Sequence, residues 1–143
     1  MSLRIRHPSI EPSQITQTLG LQPQHTWRAG DERKDSAGGS AGGTYRESYW
    51  MCELMPQPAL SADHVGVESE LLRALGTLRR SFDFLQSVND GGGVAEIYVS
   101  VFARDEFRIE LLSEVCALLG RLGITMAIEV KPHSISEPEP VVS

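Results

Sequence analysis

The apolar residues of this chain repeat with a helical period in one segment and with a strand period in the next. This change of period constrains the fold more than any other feature. Between residues 67 and 85, apolar side chains recur at intervals of three and four, which predicts one amphipathic helix. The stripe consists of Val67, Leu71, Leu75 (or Ala74), Leu78, Phe82 and Leu85. Asn89, Asp90 and three glycines then end the helix.

A strand, a helix and a second strand follow. Alternation at Ile97, Val99 and Val101 predicts the first strand. The segment ELLSEVCALLGRLG, residues 110–123, predicts a second amphipathic helix, and ITMAIEV, residues 124–130, alternates again.

The N-terminal part adds a strand and a short helix. Leu3 and Ile5 alternate with arginines, which is typical of a half-buried strand. Pro12 suits the first turn of a helix, and Gly20 supplies its stop signal.

Two further strands flank a glycine-rich stretch. HTWRAG, residues 25–30, is long enough for a brief strand, and Thr44–Leu54 reads as a longer one. Between them, the charge, Gly, Ala and Ser of Asp31–Gly43 predict a mobile hairpin loop.

The resulting order, βαββαβαβ, predicts an α+β domain over residues 1–133. The first six elements match a ferredoxin-like βαββαβ arrangement with an added αβ unit. We expect a mainly antiparallel sheet of five strands with the helices on one face. Residues 134–143, which are acidic and proline-rich, predict a disordered tail.

The strand patterns also predict which residues face the helices. The aliphatic set assigned to that face is Leu3, Ile5, Ile97, Val99, Val101, Ile124, Met126 and Ile128. In Thr44–Leu54 both faces carry apolar residues; we assign Trp50 inward, because the alternative would bury Glu47 and Glu53. The other face then carries Arg4, Arg6, Tyr45, Tyr49, Met51, Tyr98, Phe102 and Glu129.

Composition argues against several classes of function. The net charge is −6 and no long basic run occurs, so nucleic acid is not an expected partner. No apolar run suits a membrane helix, and Cys52 and Cys116 read as buried free thiols, so we expect a cytoplasmic protein. The four histidines are dispersed, which predicts neither a metal site nor a cofactor.

The sequence context also argues against two specific motifs, a phosphate-binding loop and an RNA-recognition motif. The glycines of GGSAGGT precede a strand, whereas a phosphate-binding loop needs a helix after its glycines. An RNA-recognition motif shares the βαββαβ order, but LRIRH has no aromatic residue and nearby glutamates would repel phosphate.

The strongest cluster lies around the second and third strands. His25, Trp27, Arg28, Asp31, Arg46 and Glu47 would meet there. They could serve acid–base chemistry, but a salt bridge of Arg28 or Arg46 with Glu47 is the simpler interpretation. The candidate ligand-binding or partner-binding residues are Trp27, Arg28, Tyr45, Arg46, Glu47, Tyr49, Trp50 and Tyr98.

These residues favour a binding function over catalysis. Aromatic side chains among charges are typical of contact surfaces, so we expect a protein partner or a homodimer. The alternative is a small-molecule sensor or enzyme that uses the cleft beside Asp31–Gly43.

Several motifs together resemble a known family. The stretches HPSIEPSQITQTLGLQP, WRAGD, YRESYW and LLGRLGITMAIEV occur in the order seen in bacterial domain of unknown function 4279. The resemblance covers roughly residues 3 to 131. It implies an α+β domain and brings no catalytic residues. Some such small bacterial domains look like immunity or accessory proteins. The Gly/Ser/Ala-padded loop and the acidic tail depart from the family pattern.

Overall fold

The computed structural model describes residues 1–54, 60–61, 67–106 and 108–132. The predicted tail, 134–143, lies outside these ranges, as do Pro56 and Pro58, which follow the strand predicted over Thr44–Leu54. The strands are β1 (Ser2–His7), β2 (His25–Trp27), β3 (Glu32–Lys34), β4 (Ser40–Thr44), β5 (Ser48–Glu53), β6 (Leu60–Ser61), β7 (Val94–Ala103) and β8 (Ile124–Pro132). The helices are α1 (Pro12–Leu19), α2 (Val67–Leu78), α3 (Phe82–Asp90) and α4 (Ser113–Leu122).

The main sheet has β1 near its centre. Its strand order is β2, β5, β1, β7, and β8 pairs along β7 opposite β1; the two-residue β6 pairs with the far end of β7. β1 runs antiparallel to β5 and β7, and β2 runs antiparallel to β5, whereas β8 and β6 run parallel to β7. An α+β fold with five principal, mostly antiparallel strands is therefore confirmed. β2 lies parallel to β1 with β5 between them, and a ferredoxin-like classification stays a prediction.

A single apolar core lies between this sheet and the helices. On the sheet side it contains Leu3, Ile5, Trp50, Cys52, Ala95, Ile97, Val99, Val101 and Ile124. On the helix side it contains Ile15, Leu71, Leu75, Leu78, Leu85, Val88, Val115, Leu119 and Leu122. The inward assignment of Trp50 is confirmed, and Cys52, two residues further along the strand, is buried on the same side.

One predicted core residue, Ile128, is 38% exposed. Ile128 lies on β8, and the helix that packs on this strand, α4, is too short to cover it. α4 spans ten residues, about 15 Å, whereas the nine residues of β8 extend about 30 Å. The first half of β8 therefore packs under α4 and the second half does not.

The predicted continuous helix is interrupted. A 3₁₀ turn, Arg79–Ser81, separates α2 from α3. Because a 3₁₀ turn has three residues per turn instead of 3.6, it shifts the apolar stripe around the axis. Phe82, predicted to lie on the stripe, is 37% exposed as a result.

The predicted loop Asp31–Gly43 contains a two-stranded antiparallel sheet formed by β3 and β4. Its turn is stabilised by the Asp35 carboxylate, which accepts N–H groups from Ala37 and Gly39. Gly38 adopts a φ of 84°, a conformation that favours glycine. The strand predicted from Thr44 begins instead at Ser48, since Thr44 belongs to β4.

The two cysteines differ in exposure. Both thiols are free; Cys52 is buried, whereas Cys116 is exposed, so the expectation of two buried thiols is wrong for Cys116. Cys116 follows the buried Val115 on α4 and lies off the stripe that Val115, Leu119 and Leu122 form.

Trp50 is fully buried, and its indole N–H donates to the Thr16 hydroxyl of α1 at 3.0 Å. We expect Trp50→Ala to lower the free energy of unfolding by about 3–5 kcal/mol, because it leaves a cavity under α1. Urea denaturation measures this loss. Leu72→Ala, at a site 43% exposed on α2, should change the value by about 0.5 kcal/mol or less. Equal losses in the two variants would contradict the placement of Trp50.

Gly93 joins α3 to β7 in a tight contact. A Cβ there would lie 2.7 Å from the Arg6 carbonyl oxygen and 2.9 Å from His7 Cδ2. His7 cannot readily move, because its Nδ1 accepts N–H groups from Ser9 and Ile10. We expect Gly93→Ala to destabilise by about 1–3 kcal/mol in thermal or urea unfolding.

The matched control is Gly76→Ala within α2, where an added Cβ meets no atom within 4 Å. That change should stabilise by roughly 0.5–1 kcal/mol, since alanine favours helix. A stabilising Gly93→Ala would refute the close contact.

Candidate functional site

Three aromatic rings form a stack at one side of the main sheet. Trp27 lies between Tyr45 and Tyr49, with ring centroids 4.4 Å apart on each side and nearly parallel planes. Trp27 pairs directly with Tyr49 across β2 and β5. Because Tyr49 alternates with the buried Trp50, the stack lies on the sheet face opposite the helices, which we call the free face.

Backbone and side-chain hydrogen bonds bring Tyr45 beside Trp27. The Gly30 N–H donates to the Tyr45 carbonyl, and the Tyr45 N–H donates to the Asp31 carbonyl. The Ala29 N–H donates to the buried hydroxyl of Ser48 at 3.0 Å. The turn after β2 is thus tied to the start of β5, and the stack joins Trp27 to two tyrosines that lie well beyond it in sequence.

The free face continues from the stack towards the middle of the sheet. Arg6 lies directly opposite Tyr49, and Arg4 lies opposite Met51, two residues further along the same pair of strands and on the same face. The Arg4 guanidinium sits 3.8 Å above the centre of the Tyr98 ring, a cation–π contact. The Tyr98 hydroxyl donates to the Glu129 carboxylate on β8. An aromatic and arginine surface therefore runs from Tyr45 to Tyr98.

Two N–H groups on this surface are buried without an acceptor in the described part of the chain. They are the indole Nε1 of Trp27 and the Nε of Arg4. Buried donors are almost always hydrogen-bonded in folded proteins. Two unpaired donors on the same face therefore require an explanation.

Arg28 has other partners than predicted. Its guanidinium bonds the Glu11 carboxylate at 2.8 Å and lies 3.7 Å from the Asp31 carboxylate. The hydrogen bond to Glu11 raises the pKa of Arg28, and both carboxylates add to the effect. This exposed cluster connects the end of β2 to the start of α1, so Arg28 does not form the first of the two salt bridges considered, Arg28 or Arg46 with Glu47.

An open cleft of about 600 Å³ lies beside the stack. It is lined by Trp27, Arg33, Thr44, Tyr45, Arg46 and Glu47. The cleft therefore combines two aromatic rings with two guanidinium groups and one carboxylate.

The structure brings most of the predicted site residues together. Trp27, Tyr45 and Tyr49 form the stack, and Tyr98 lies on the same face beyond β1. Arg46 and Glu47 line the cleft. Trp50 is separate, since its ring lies in the core on the opposite side of the sheet.

Three participants were not among the predicted site residues. Arg4 alternates with buried leucine and isoleucine, which placed it on the free face without indicating its contact with Tyr98. Arg33 lies in the segment predicted as a loop, and Glu11 is seventeen positions from Arg28. No local pattern indicates either one.

The described ranges contain no group of three His, Cys, Asp or Glu side chains that could hold a metal ion. Within the same ranges, no helix combines the length and apolar character needed to span a membrane.

The fold and this surface define an α+β protein whose sheet is covered by helices on one face and carries aromatic and arginine side chains on the other. The chain belongs to the family described as "Domain of unknown function (DUF4279)", whose family model matches residues 1–133. No curated protein and no solved structure matches the chain.

Burial raises the pKa of the Tyr49 phenol above its ordinary value of 10, although Arg4 and Arg6 act in the opposite direction. Above about pH 10 the unfolded chain loses this proton while the folded protein keeps it, so the free energy of unfolding falls. We expect Tyr49→Phe to reduce that fall.

Urea denaturation at about pH 8 and about pH 11 compares the two proteins, because the phenols titrate between these values. Tyr49→Phe should lose less stability between the two pH values than the unsubstituted protein does. An identical loss in both proteins would contradict a raised pKa at Tyr49.

Proposed function

We propose that this protein is a binding module that contacts a protein partner through the free face between Trp27 and Tyr98. The observation that carries the proposal is the pair of buried donors on Trp27 and Arg4, for which the described residues supply no acceptor. A partner that shifts the side chains covering these two atoms and presents backbone carbonyl or carboxylate oxygens would give both donors acceptors.

The energetics favour such a contact. A buried donor without an acceptor costs about 1–3 kcal/mol, so two of them disfavour the unbound state. A partner that supplies acceptors removes this cost on binding. The cost is tolerated in the free protein because the core on the other side of the sheet is extensive.

The composition of the surface supports the same function. Tryptophan, tyrosine and arginine are the residues that most often dominate protein–protein binding energy. Here Trp27 and Tyr49 are held in one geometry by stacking, and Arg4 is held above Tyr98. Their side chains therefore lose little further conformational freedom when a partner binds.

The proposal includes the immunity-type and accessory-type roles that the family resemblance implied, because both act by binding another protein. It assigns no reaction to the site. The aromatic and arginine side chains offer contacts and hydrogen-bond donors, which suit recognition.

Two conservative variants test the proposal. Trp27→Phe keeps an aromatic ring in the stack but removes the indole N–H, and Arg4→Lys keeps the charge but removes Nε. Tagged protein captures partners from a lysate of the source cells, and quantitative mass spectrometry compares the variants. A specific partner should be retained by the unsubstituted protein and depleted with each variant. With the purified partner, each dissociation constant should rise about tenfold, which corresponds to about 1.4 kcal/mol per lost hydrogen bond.

Arg121→Lys on α4 is the matched control, since Arg121 is exposed on the helix side of the protein. It should leave capture unchanged. Equal capture by the double variant Trp27→Phe/Arg4→Lys, or the absence of any partner that depends on these residues, would refute the proposed function.

The cleft favours a second candidate, a small-molecule sensor. Its two guanidinium groups and aromatic rings suit a planar anion. Arg46→Ala distinguishes the candidates: it should abolish binding of such an anion in calorimetry, whereas a partner that contacts Trp27 and Arg4 should still be captured.

A further inference from the structure

Strand β8 forms a long edge of the main sheet. Its nine residues pair with β7 from Ile124 to Pro132. In the ranges the structure describes, no strand pairs with its other side. A free edge of this length presents a row of N–H and C=O groups to which another strand can bind.

The apolar side of β8 extends beyond the part of the strand that α4 covers. Ile124 is buried and Met126 is partly buried, but Ile128 is 38% exposed and Val130 is 52% exposed. These four residues alternate, so they lie on one face of the strand, the face that packs under α4. The exposed pair is therefore an extension of the core beyond the end of the helix.

We propose that a second copy of this chain pairs antiparallel with β8 about a two-fold axis at Ile128, so that two sheets become one. The opposed residues would be Ile124 with Pro132, Thr125 with Lys131, Met126 with Val130, Ala127 with Glu129, and Ile128 with itself. The exposed Val130 of each copy then packs on Met126 of the other. Cross-strand apolar pairs of this kind stabilise sheets.

Charge and length select this register. Residues that face each other across a sheet point to the same side, so an axis must pass through a residue. An axis at Glu129 would oppose two like charges, which is destabilising. An axis at Val130 would oppose Glu129 to Lys131, but it would pair only residues 128–132. The axis at Ile128 pairs all nine residues and opposes no like charges.

The dimer is independent of the proposed partner contact. The edge of β8 is separated from the Trp27 stack by the width of the sheet, since β7, β1 and β5 lie between β8 and β2. Trp27→Phe should therefore leave the dimer unchanged, and loss of the dimer need not abolish partner capture. Each of the two proposals can therefore be refuted without refuting the other.

Sedimentation equilibrium of the full chain gives the first test. We expect a monomer–dimer equilibrium whose dissociation constant rises at least tenfold in Val130→Glu, because the change places a carboxylate against the apolar Met126 of the other copy. Val130 is mostly exposed, so circular dichroism should show the same fold in both proteins. Leu72→Glu, at an exposed apolar site on α2, is the control and should leave the equilibrium unchanged.

Disulfide trapping tests the register. In a Cys116→Ser background, with Cys52 buried, Ile128→Cys should form a cross-linked dimer on mild oxidation, because self-opposed residues have Cα atoms about 4.5–5.5 Å apart. Ala127→Cys should not cross-link, because residue 127 opposes residue 129.

Three results would overturn the inference. One is a monomer at all accessible concentrations, including a monomer in which hydrogen exchange shows the β8 edge protected by its own chain. Another is a dimer that Val130→Glu does not weaken. The third is cross-linking through Val130→Cys in the absence of cross-linking through Ile128→Cys.

Discussion

The two-residue period of strand β1 is the constraint on which the rest of this structure depends. β1 is hydrogen-bonded on both sides, to β5 and to β7. Leu3 and Ile5 face the helices, and Arg4 and Arg6 face the other way. A slip of one residue would place two guanidinium groups in the core and two aliphatic chains outside it, at a cost of several kcal/mol per buried charge. This cost fixes the register of β1 with β5 and with β7. It thereby also fixes which residues of the sheet face the helices and which face the other way.

The free face carries aromatic and arginine side chains because the helices cover only the opposite face of the sheet. Helices cover one side of the sheet completely enough to bury Trp50, which leaves aromatic side chains on the other side free to serve contacts. Trp27 lies on β2, Tyr49 on β5 and Tyr45 in the short connection before β5, and the pairing of β2 with β5 brings the three rings together. The surface therefore forms together with the core, and a protein that has lost its fold has lost this surface too.

Much of the architecture could be predicted because the buried apolar residues recur in the sequence with the period of their helix or strand. The apolar alternation of β1, β7 and β8, and the helical stripe of α4, each record which side of the element is covered. The exposed hairpin of β3 and β4 leaves no such trace, because none of its strand residues is buried. Exposure at Ile128 depends on the length of α4 relative to β8, and the 3₁₀ turn before Phe82 changes the phase of a stripe that looks continuous in sequence.

The aromatic members of the site could be predicted from the sequence, but its charged partners could not. Aromatic residues around Trp27 stood out from their neighbours, and alternation placed Tyr49 and Tyr98 on one face. The partners of the charged residues depend on tertiary contacts, so Arg28 bonds Glu11, the residue before α1, instead of Glu47, and Arg4 stacks on Tyr98. Sequence patterns report local geometry and burial, and these pairs depend on neither.

The sequence of the hairpin formed by β3 and β4 can vary without a loss of stability in the core. Its strands are exposed, and its base is held by the backbone hydrogen bonds of Tyr45 with Asp31 and with Gly30. It supplies Arg33 and Thr44 to the cleft. Lengthening such a segment is inexpensive, since doubling a loop costs only about 0.6 kcal/mol in closure entropy. New sequences in this hairpin can therefore reshape the cleft while the core stays intact. An engineer could diversify the hairpin as the variable loop of a recognition scaffold, and natural selection has the same freedom.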